Sequence, residues 1–328
     1  LYYNAYNERD EARFVIDRIE HWVDQGRSRS EIAVLYRSNA QSRQFEEYLI
    51  TRGIPYRVYG GLRFFERAEI KDALAYLRML SNPLDDTSFE RTINHPPRGL
   101  GQKSVDQIRV HAREHGLSLW SATLQLLEDN QLTARARTGV SAYIDLIQRM
   151  QENSQVLSLS EQIRMCIEDS GLKLHFAKDK SEKGEARQEN LQELIGAGKS
   201  FEFEHNAEVD DMSELDAFLA HAALEAGEGQ ADDWEECVQL MTMHSVKGLE
   251  FPLVFMVGME EGLFPHQRSS EEPGRMEEER RLCYVGITRA REQLIVTSAE
   301  VRRLYGNDNY NVVSRFIKEI PSELIEEI

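Results

Sequence analysis

Ile32-Ala-Val-Leu-Tyr36 is followed by Arg37-Ser-Asn-Ala-Gln41, then by Ser42-Arg-Gln-Phe-Glu-Glu-Tyr-Leu-Ile-Thr51 and, after Gly53, by Pro55-Tyr-Arg-Val-Tyr59. The first segment is an apolar run of strand length. Ser42 to Thr51 reads as a helix, which Gly53 ends. Pro55 to Tyr59 is a second strand, stopped by Gly60-Gly61. Upstream, Leu1 to Ala5 suits a short strand, and Glu8 to Gln25 carries Ala12, Phe14, Val15, Ile19 and Val23 at near-helical spacing. Strands alternating with helices in this way predict a parallel α/β sheet.

From Leu62 to about Asp233 the periodicity is almost wholly helical. Ser104, Ser160 and Ser213 read as N-caps or first-turn residues, and Gly116 and Gly171 as stops. Strands return at Val238 to Thr242, Leu253 to Val257 and Gln293 to Ser298, with a helix from Glu277 to about Ile287. The expected organisation is one α/β domain in two pieces, residues 1–61 and 235–328, with an all-helical domain, residues 62–234, inserted in it. Gly227 to Asp233 reads as the return linker.

The chain has 328 residues and 41% hydrophobic content, enough for two cores. It has no run of about twenty apolar residues and no signal peptide, which predicts a soluble, cytoplasmic protein without a membrane partner. It begins at Leu1 rather than Met, as an excised fragment would. Cys166, Cys237 and Cys283 lie far apart with no Cys-x-x-Cys, which argues for reduced thiols and against zinc. The net charge of -18 argues against a nucleic-acid binder with a basic footprint. Charge is screened beyond about 10 Å, however, and its distribution is uneven. Between Lys199 and Lys247 there are thirteen Asp and Glu and no Lys or Arg, whereas arginines gather at 37–67 and 289–303. A locally basic groove on an acidic body is compatible with this pattern.

Three segments carry candidate chemistry. In Gln239-Leu-Met-Thr-Met-His-Ser-Val-Lys-Gly-Leu-Glu250, a strand breaks at Thr242 into a polar loop. Thr242, His244 and Ser245 then offer small donors at the C-terminal edge of a parallel sheet, where α/β proteins bind ligands. Such donors suit phosphate oxygens. Gly248 permits close backbone approach, and Glu250 can accept from a ribose hydroxyl. Arg37, Ser38 and Asn39 repeat the strand-end pattern and suit the backbone of a single strand; Tyr36 would either stack on a base or pack in the core.

Glu277-Glu-Glu-Arg-Arg-Leu-Cys-Tyr-Val-Gly-Ile-Thr-Arg-Ala-Arg-Glu292 is a helix that gives way to a strand at Arg289 and Arg291. An arginine presented from one domain can stabilise charge on a γ-phosphate held by another. The plain alternative is a helix C-terminus whose arginines complement the macrodipole. Arg280 and Arg281 are read as partners of Glu277 or Glu278. Within the helical stretch, Arg98-Gly99-Leu100-Gly101-Gln102-Lys103 opens a helix with unobstructed N–H groups and two cations, a pattern suited to an anion or to a plain glycine turn. Asp169 to Lys173 is a weaker copy. Gly196-Ala-Gly198-Lys199-Ser200 mimics the end of a phosphate loop, but Glu193 stands where the first glycine belongs and no strand precedes it.

The two strings 239–250 and 277–292, in this order and with residues 34–43 and 55–65 ahead of them, resemble superfamily 1 DNA helicases of the UvrD/Rep/PcrA kind; Val257 to Pro265 is most similar in texture to the UvrD branch. The resemblance covers essentially the whole chain. It implies a RecA-like motor domain (2A) interrupted by an all-helical domain (2B), the second half of an ATP-dependent 3′-5′ helicase of DNA repair or replication restart in the bacterial cytoplasm. By the same resemblance Arg37, Ser38, Asn39, Thr242 and His244 touch single-stranded DNA. Gly248 and Glu250 meet the nucleotide, Arg289 reaches the γ-phosphate, and Arg98, Gly99, Leu100, Gly101 and Lys103 face duplex DNA at a fork. ATP with Mg²⁺ would be held mainly by a first motor half, absent here, so that the chain alone would lack ATPase activity; repair proteins are further candidate partners. The competing class is a non-catalytic DNA-binding or protein-interaction module, with the acidic 200–236 stretch as its partner surface.

Overall fold

The computed structural model describes residues 1–204, 212–227, 235–270, 274–304 and 307–328. In chain order the elements are β1 (Tyr2–Asn7), α1 (Glu8–Asp24), β2 (Ile32–Tyr36), α2 (Ser42–Thr51) and β3 (Tyr56–Val58). Next come the helices α3 (Ala68–Ser81), α4 (Asp86–Thr92), α5 (Gln102–His115), α6 (Leu119–Glu128), α7 (Ala134–Ser154), α8 (Leu159–Asp169), α9 (Leu172–Ala177), α10 (Glu182–Glu204) and α11 (Glu214–Gly227). Then follow β4 (Val238–Thr242), β5 (Phe251–Met256), α12 (Arg275–Ile287), β6 (Ala290–Leu304), β7 (Asn307–Tyr310) and α13 (Arg315–Lys318). Contacts divide the chain into two units, Leu1–Glu66 with Leu224–Ile328, and Arg67–Ala223. Most of the expected return linker and parts of the acidic 200–236 stretch lie outside the described residues.

The first unit holds a seven-stranded sheet in the order β1-β6-β5-β2-β4-β3, with β7 added to β6. All pairings are parallel except that of β7, which runs antiparallel to the far end of β6. Strand β2 is central, with Ala33 opposite Gln239 on one side and Val254 on the other. Its side chains alternate. Ile32, Val34 and Tyr36 pack with Val15, Ile16 and Ile19 of α1 and Phe45 and Leu49 of α2. Ala33 and Leu35 pack into the opposite cluster with Met241, Met256, Cys283 of α12 and Phe316 of α13. Both faces are covered, so the strand has no polar side, and its sequence is an unbroken apolar run. Tyr36 is fully buried and is a core residue, not a stacking platform.

Parallel neighbours cannot be joined by tight turns, so each connection must return to the opposite edge of the sheet. Helices α1, α2 and α12 do this for most strands. Between β4 and β5 the return is made by residues 243–250 alone, a turn-rich segment. It lies along the sheet because Met243 and Val246 are buried in the second cluster and Leu249 packs against it.

Beyond the end of β5 lies a buried ionic network. Arg302 of β6 donates to both Glu11 of α1, at 2.5 Å, and Glu260, at 2.6 Å. The Glu11 carboxylate also accepts from Gly258 N (2.9 Å) and Thr297 Oγ1 (2.6 Å), and that of Glu260 from Ala299 N (2.8 Å) and Asn311 Nδ2 (2.7 Å). Every strong acceptor thus has a donor, the condition under which a buried ion group is tolerated.

The second unit is helical. Tyr76, Phe89, Trp120 and Tyr143 from α3, α4, α6 and α7 are buried, with Phe89 edge-on to both Trp120 and Tyr143. The stretch 196–200 lies inside α10, as its periodicity predicts. A Cβ on Gly198 would stand 2.3 Å from Ile163 Cδ1, so this glycine serves the close approach of α10 to α8. Ser160 and Ser104 lie in the first turns of α8 and α5, as expected, while Ser158 caps α8 in a capping box with Glu161 and Gly101 stands at the N-cap of α5. Among the described residues no helix is long and apolar enough to cross a membrane.

Candidate nucleotide and nucleic-acid sites

The ends of β2 and β4 lie side by side, with Tyr36 opposite Thr242 and Met243 N donating to Tyr36 O at 2.9 Å. This brings the segments 37–39 and 242–245 together at the C-terminal edge of the sheet. Gln41, which the sequence reading passed over, shapes the first segment: its Oε1 accepts from Arg37 N (3.0 Å) and Ser38 N (2.8 Å), closing a capping box with Ser38. In the second, the hydroxyls of Thr242 and Ser245 are hydrogen-bonded at 2.9 Å, and His244 is exposed.

Arg37 is not a free cation. Its Nε and Nη2 are forked by Glu279 of α12, at 3.0 and 2.7 Å, and Glu279 also accepts from His266 N at 3.2 Å. Glu279 is only 2% exposed. Burial pushes its carboxyl up, but the Arg37 hydrogen bonds and charge outweigh this and hold it below the ordinary range. The pair fixes the arginine's direction and offsets its charge. Nothing local marks Glu279: it sits in Glu277-Glu-Glu-Arg-Arg281, where the natural reading is surface pairing. Its neighbour Arg280 does make such pairs, with Glu277 and Glu319.

Gly248, Glu250 and Arg289 are at the opposite edge, where β5 and β6 begin. Phe251 N donates to Arg289 O at 2.9 Å, and Arg289 Nη1 donates to Leu249 O at 3.1 Å, so Glu250 is bracketed by contacts to Arg289. The remaining guanidinium nitrogens close the end of α12, Nε on Val285 O and Nη2 on Thr288 Oγ1, both at 2.9 Å. The helix-terminus role weighed as the alternative is therefore one that Arg289 fills here. Glu250 is exposed. Gly248 has φ +89°, a region L side chains avoid, and open space where a Cβ would be, so backbone shape rather than crowding requires it. Gly286 differs: a Cβ there would meet Met256 Cε at 3.0 Å, and the glycine lets α12 lie close on β5. Residues 242–250 begin among the strand ends and finish among the strand starts, because β4 and β5 run in the same direction.

In the second unit the 97–104 loop also departs from expectation. The Arg98 guanidinium turns inward, donating to Thr92 O (2.8 Å), Pro96 O (3.1 Å), Tyr76 Oη (2.6 Å) and Ser170 O (3.1 Å). Leu100 is 6% exposed and lies against Gly139 of α7. Arg98 and Leu100 therefore anchor the loop, and Ser170 of the weaker copy serves as their brace. Asn94 holds the same loop, its Nδ2 donating to Leu100 O (2.8 Å) and its Oδ1 accepting from Arg98 N (2.9 Å). Gly99, with φ +75°, Gly101 and Lys103 remain exposed. Gly101 offers no side chain to cap α5.

The first unit is thus a largely parallel α/β sheet domain with helices on both faces, and the second is a helical domain that carries the anchored glycine loop. The chain belongs to the UvrD-like helicase C-terminal domain family, whose profile matches residues 1–301. It is 53% identical over 326 residues to DNA helicase II of Escherichia coli (strain K12). It is likewise 53% identical over 326 residues to DNA helicase II of Haemophilus influenzae, and 41% identical over 334 residues to the ATP-dependent DNA helicase PcrA of Bacillus subtilis (strain 168). These alignments cover 99%, 99% and 100% of this chain but 45%, 45% and 44% of the relatives, so the chain spans less than half their length.

Proposed function

We propose that the chain is the second motor half of an ATP-dependent 3′-5′ DNA helicase acting in DNA repair or replication restart. Residues 1–61 and 235–328 would form domain 2A, and residues 62–234 domain 2B. Glu250 meets the nucleotide sugar, Gly248 lets the backbone approach the nucleotide, and Arg289 meets the γ-phosphate of ATP bound chiefly by a first motor half. Arg37, Ser38, Asn39, Thr242 and His244 hold the single strand through its backbone. Gly99, Gly101 and Lys103 face the duplex, with Arg98 and Leu100 as their anchors. The Mg²⁺ that accompanies ATP would be held mainly by that first half. Without the first half, the chain turns over no ATP.

One observation carries this reading. Residues 243–250 join the two edges directly, from His244 beside the Arg37 segment to Leu249 beneath Arg289. Arg289 Nη1 is tied to Leu249 O, so a phosphate that drew the guanidinium away would loosen one end of a segment whose other end lies beside Arg37. Arginine suits the task because its charge is permanent and its fork planar.

The test is Arg289→Ala in the full-length protein. An arginine of this kind is worth about 10³-fold or more in turnover. The expected outcome is ATPase loss of that order with nucleotide binding, read by a fluorescent ATP analogue, retained. Unimpaired turnover refutes the assignment.

A further inference from the structure

The duplex-facing loop is short of charge, because the Arg98 guanidinium expected to supply it is committed to four internal oxygens. A second arginine stands in its place. A Cβ placed on Gly99 would lie 3.9 Å from both Nε and Nη2 of Arg135, an exposed residue in the first turn of α7. Arg135 thus reaches the outer side of the same glycine whose neighbours Arg98 and Leu100 are held from within. The docking explains the approach. Gly139, one turn along α7, would place a Cβ 2.8 Å from Arg98 O, so only glycine lets the loop settle on this helix and lie beside Arg135. The nearby Arg137 differs, since its Nη1 is occupied by Asn130 Oδ1 at 2.6 Å.

We infer that Arg135 is a phosphate contact for duplex DNA, joining Gly99, Gly101 and Lys103 in one sequence-independent grip. The inference rests on the duplex-facing role proposed above for the loop and adds a residue that no local motif marks. A guanidinium beside an open glycine backbone can fork a phosphodiester that the main chain also approaches. Position 135 lies more than thirty residues from the loop, in a stretch whose arginines read as ordinary helix-surface residues.

Counterion release gives the test a quantitative readout. Each phosphate neutralised on B-DNA contributes about 0.9 to the slope of log affinity against log salt. Full-length protein carrying Arg135→Ala is compared with the unaltered protein on a single-strand/duplex junction and on single-stranded DNA of equal length. On the junction, the slope should flatten by about 0.9, so that the deficit shrinks about 3.5-fold between 50 and 200 mM salt. Single-strand binding and Arg137→Ala should show no such change. Lys103→Ala serves as the reference for the loop. Should Lys103→Ala flatten the junction slope and Arg135→Ala leave it untouched, this inference is overturned and the loop's role stands. Should neither variant alter junction binding, both fall. An equal loss on single-stranded DNA also overturns the inference, because Arg135 would then be acting as general charge.

Discussion

Replacing Arg302 by Met tests the ionic network beneath the end of β5. The substitution keeps side-chain volume and removes the cation shared by Glu11 and Glu260, at 2.5 and 2.6 Å. Glu11 and Glu260 are both fully buried, so neither carboxylate can turn to water. Breaking a buried ion group by removing one partner costs about 3–5 kcal/mol. Four donors remain in place, Gly258 N and Thr297 Oγ1 on Glu11 and Ala299 N and Asn311 Nδ2 on Glu260, so the lower end, about 3 kcal/mol, is expected. The pH dependence supplies a second, independent sign. In the unaltered protein burial pushes Glu260 up, but the Arg302 charge and hydrogen bonds prevail and hold it below the ordinary range. It is then ionised in both folded and unfolded states from pH 7.5 to 5.5, and its contribution is lost only as pH falls below about 4.3. Without Arg302, burial is opposed only by the Ala299 N and Asn311 Nδ2 hydrogen bonds, so the folded carboxyl rises and takes up a proton at a higher pH than in the unaltered protein. The deficit of the variant should therefore shrink as pH falls from 7.5 to 5.5. Amide hydrogen exchange of β5 and β6 in rising urea measures both quantities. A deficit under about 1 kcal/mol, or one that is the same at the two pH values, refutes the argument.

Two further outcomes follow from the geometry. Glu279→Gln removes the charge that fixes Arg37, and charge-assisted hydrogen bonds of this kind are worth about 1.5–3 kcal/mol. Because the folded carboxyl is held low, this stability is present above about pH 4.3 and is lost as pH falls through the folded value, so wild type and variant should converge in acid; urea midpoints across pH check the convergence, and a constant gap would sink it. Gly139→Val places new atoms against Arg98 O and Leu100, and overpacking of this sort costs about 1–3 kcal/mol. Junction binding should weaken while single-strand binding is kept, as fluorescence anisotropy with both DNAs can show.

Much of the fold is legible in local pattern. Ile32–Tyr36, Ser42–Thr51 and Val238–Thr242 begin and end where their apolar runs, helical spacing and breakers place them. The limits of β1 and β5 shift by a residue or two and β6 runs further at both ends, since pairing with neighbours rather than composition decides where a strand stops. The charged side chains were the least legible. Arg37, Arg98 and Arg289 read alike as cations awaiting a phosphate, yet the first is forked by a glutamate, the second is turned inward onto three carbonyls and a hydroxyl, and the third closes a helix.

From its sequence alone this protein is an α/β chain with a helical insertion bearing the signature strings of its family, because periodicity and motif order are properties of neighbouring residues. Only the tertiary structure separates Thr242 from Glu250 to opposite edges of one sheet, since that follows from β4 and β5 running in the same direction on either side of β2. Only it joins Arg37 to Glu279 across 242 positions and lays Arg135 beside Gly99. A guanidinium takes whichever acceptor packing brings within 3 Å, and no local spacing encodes that choice.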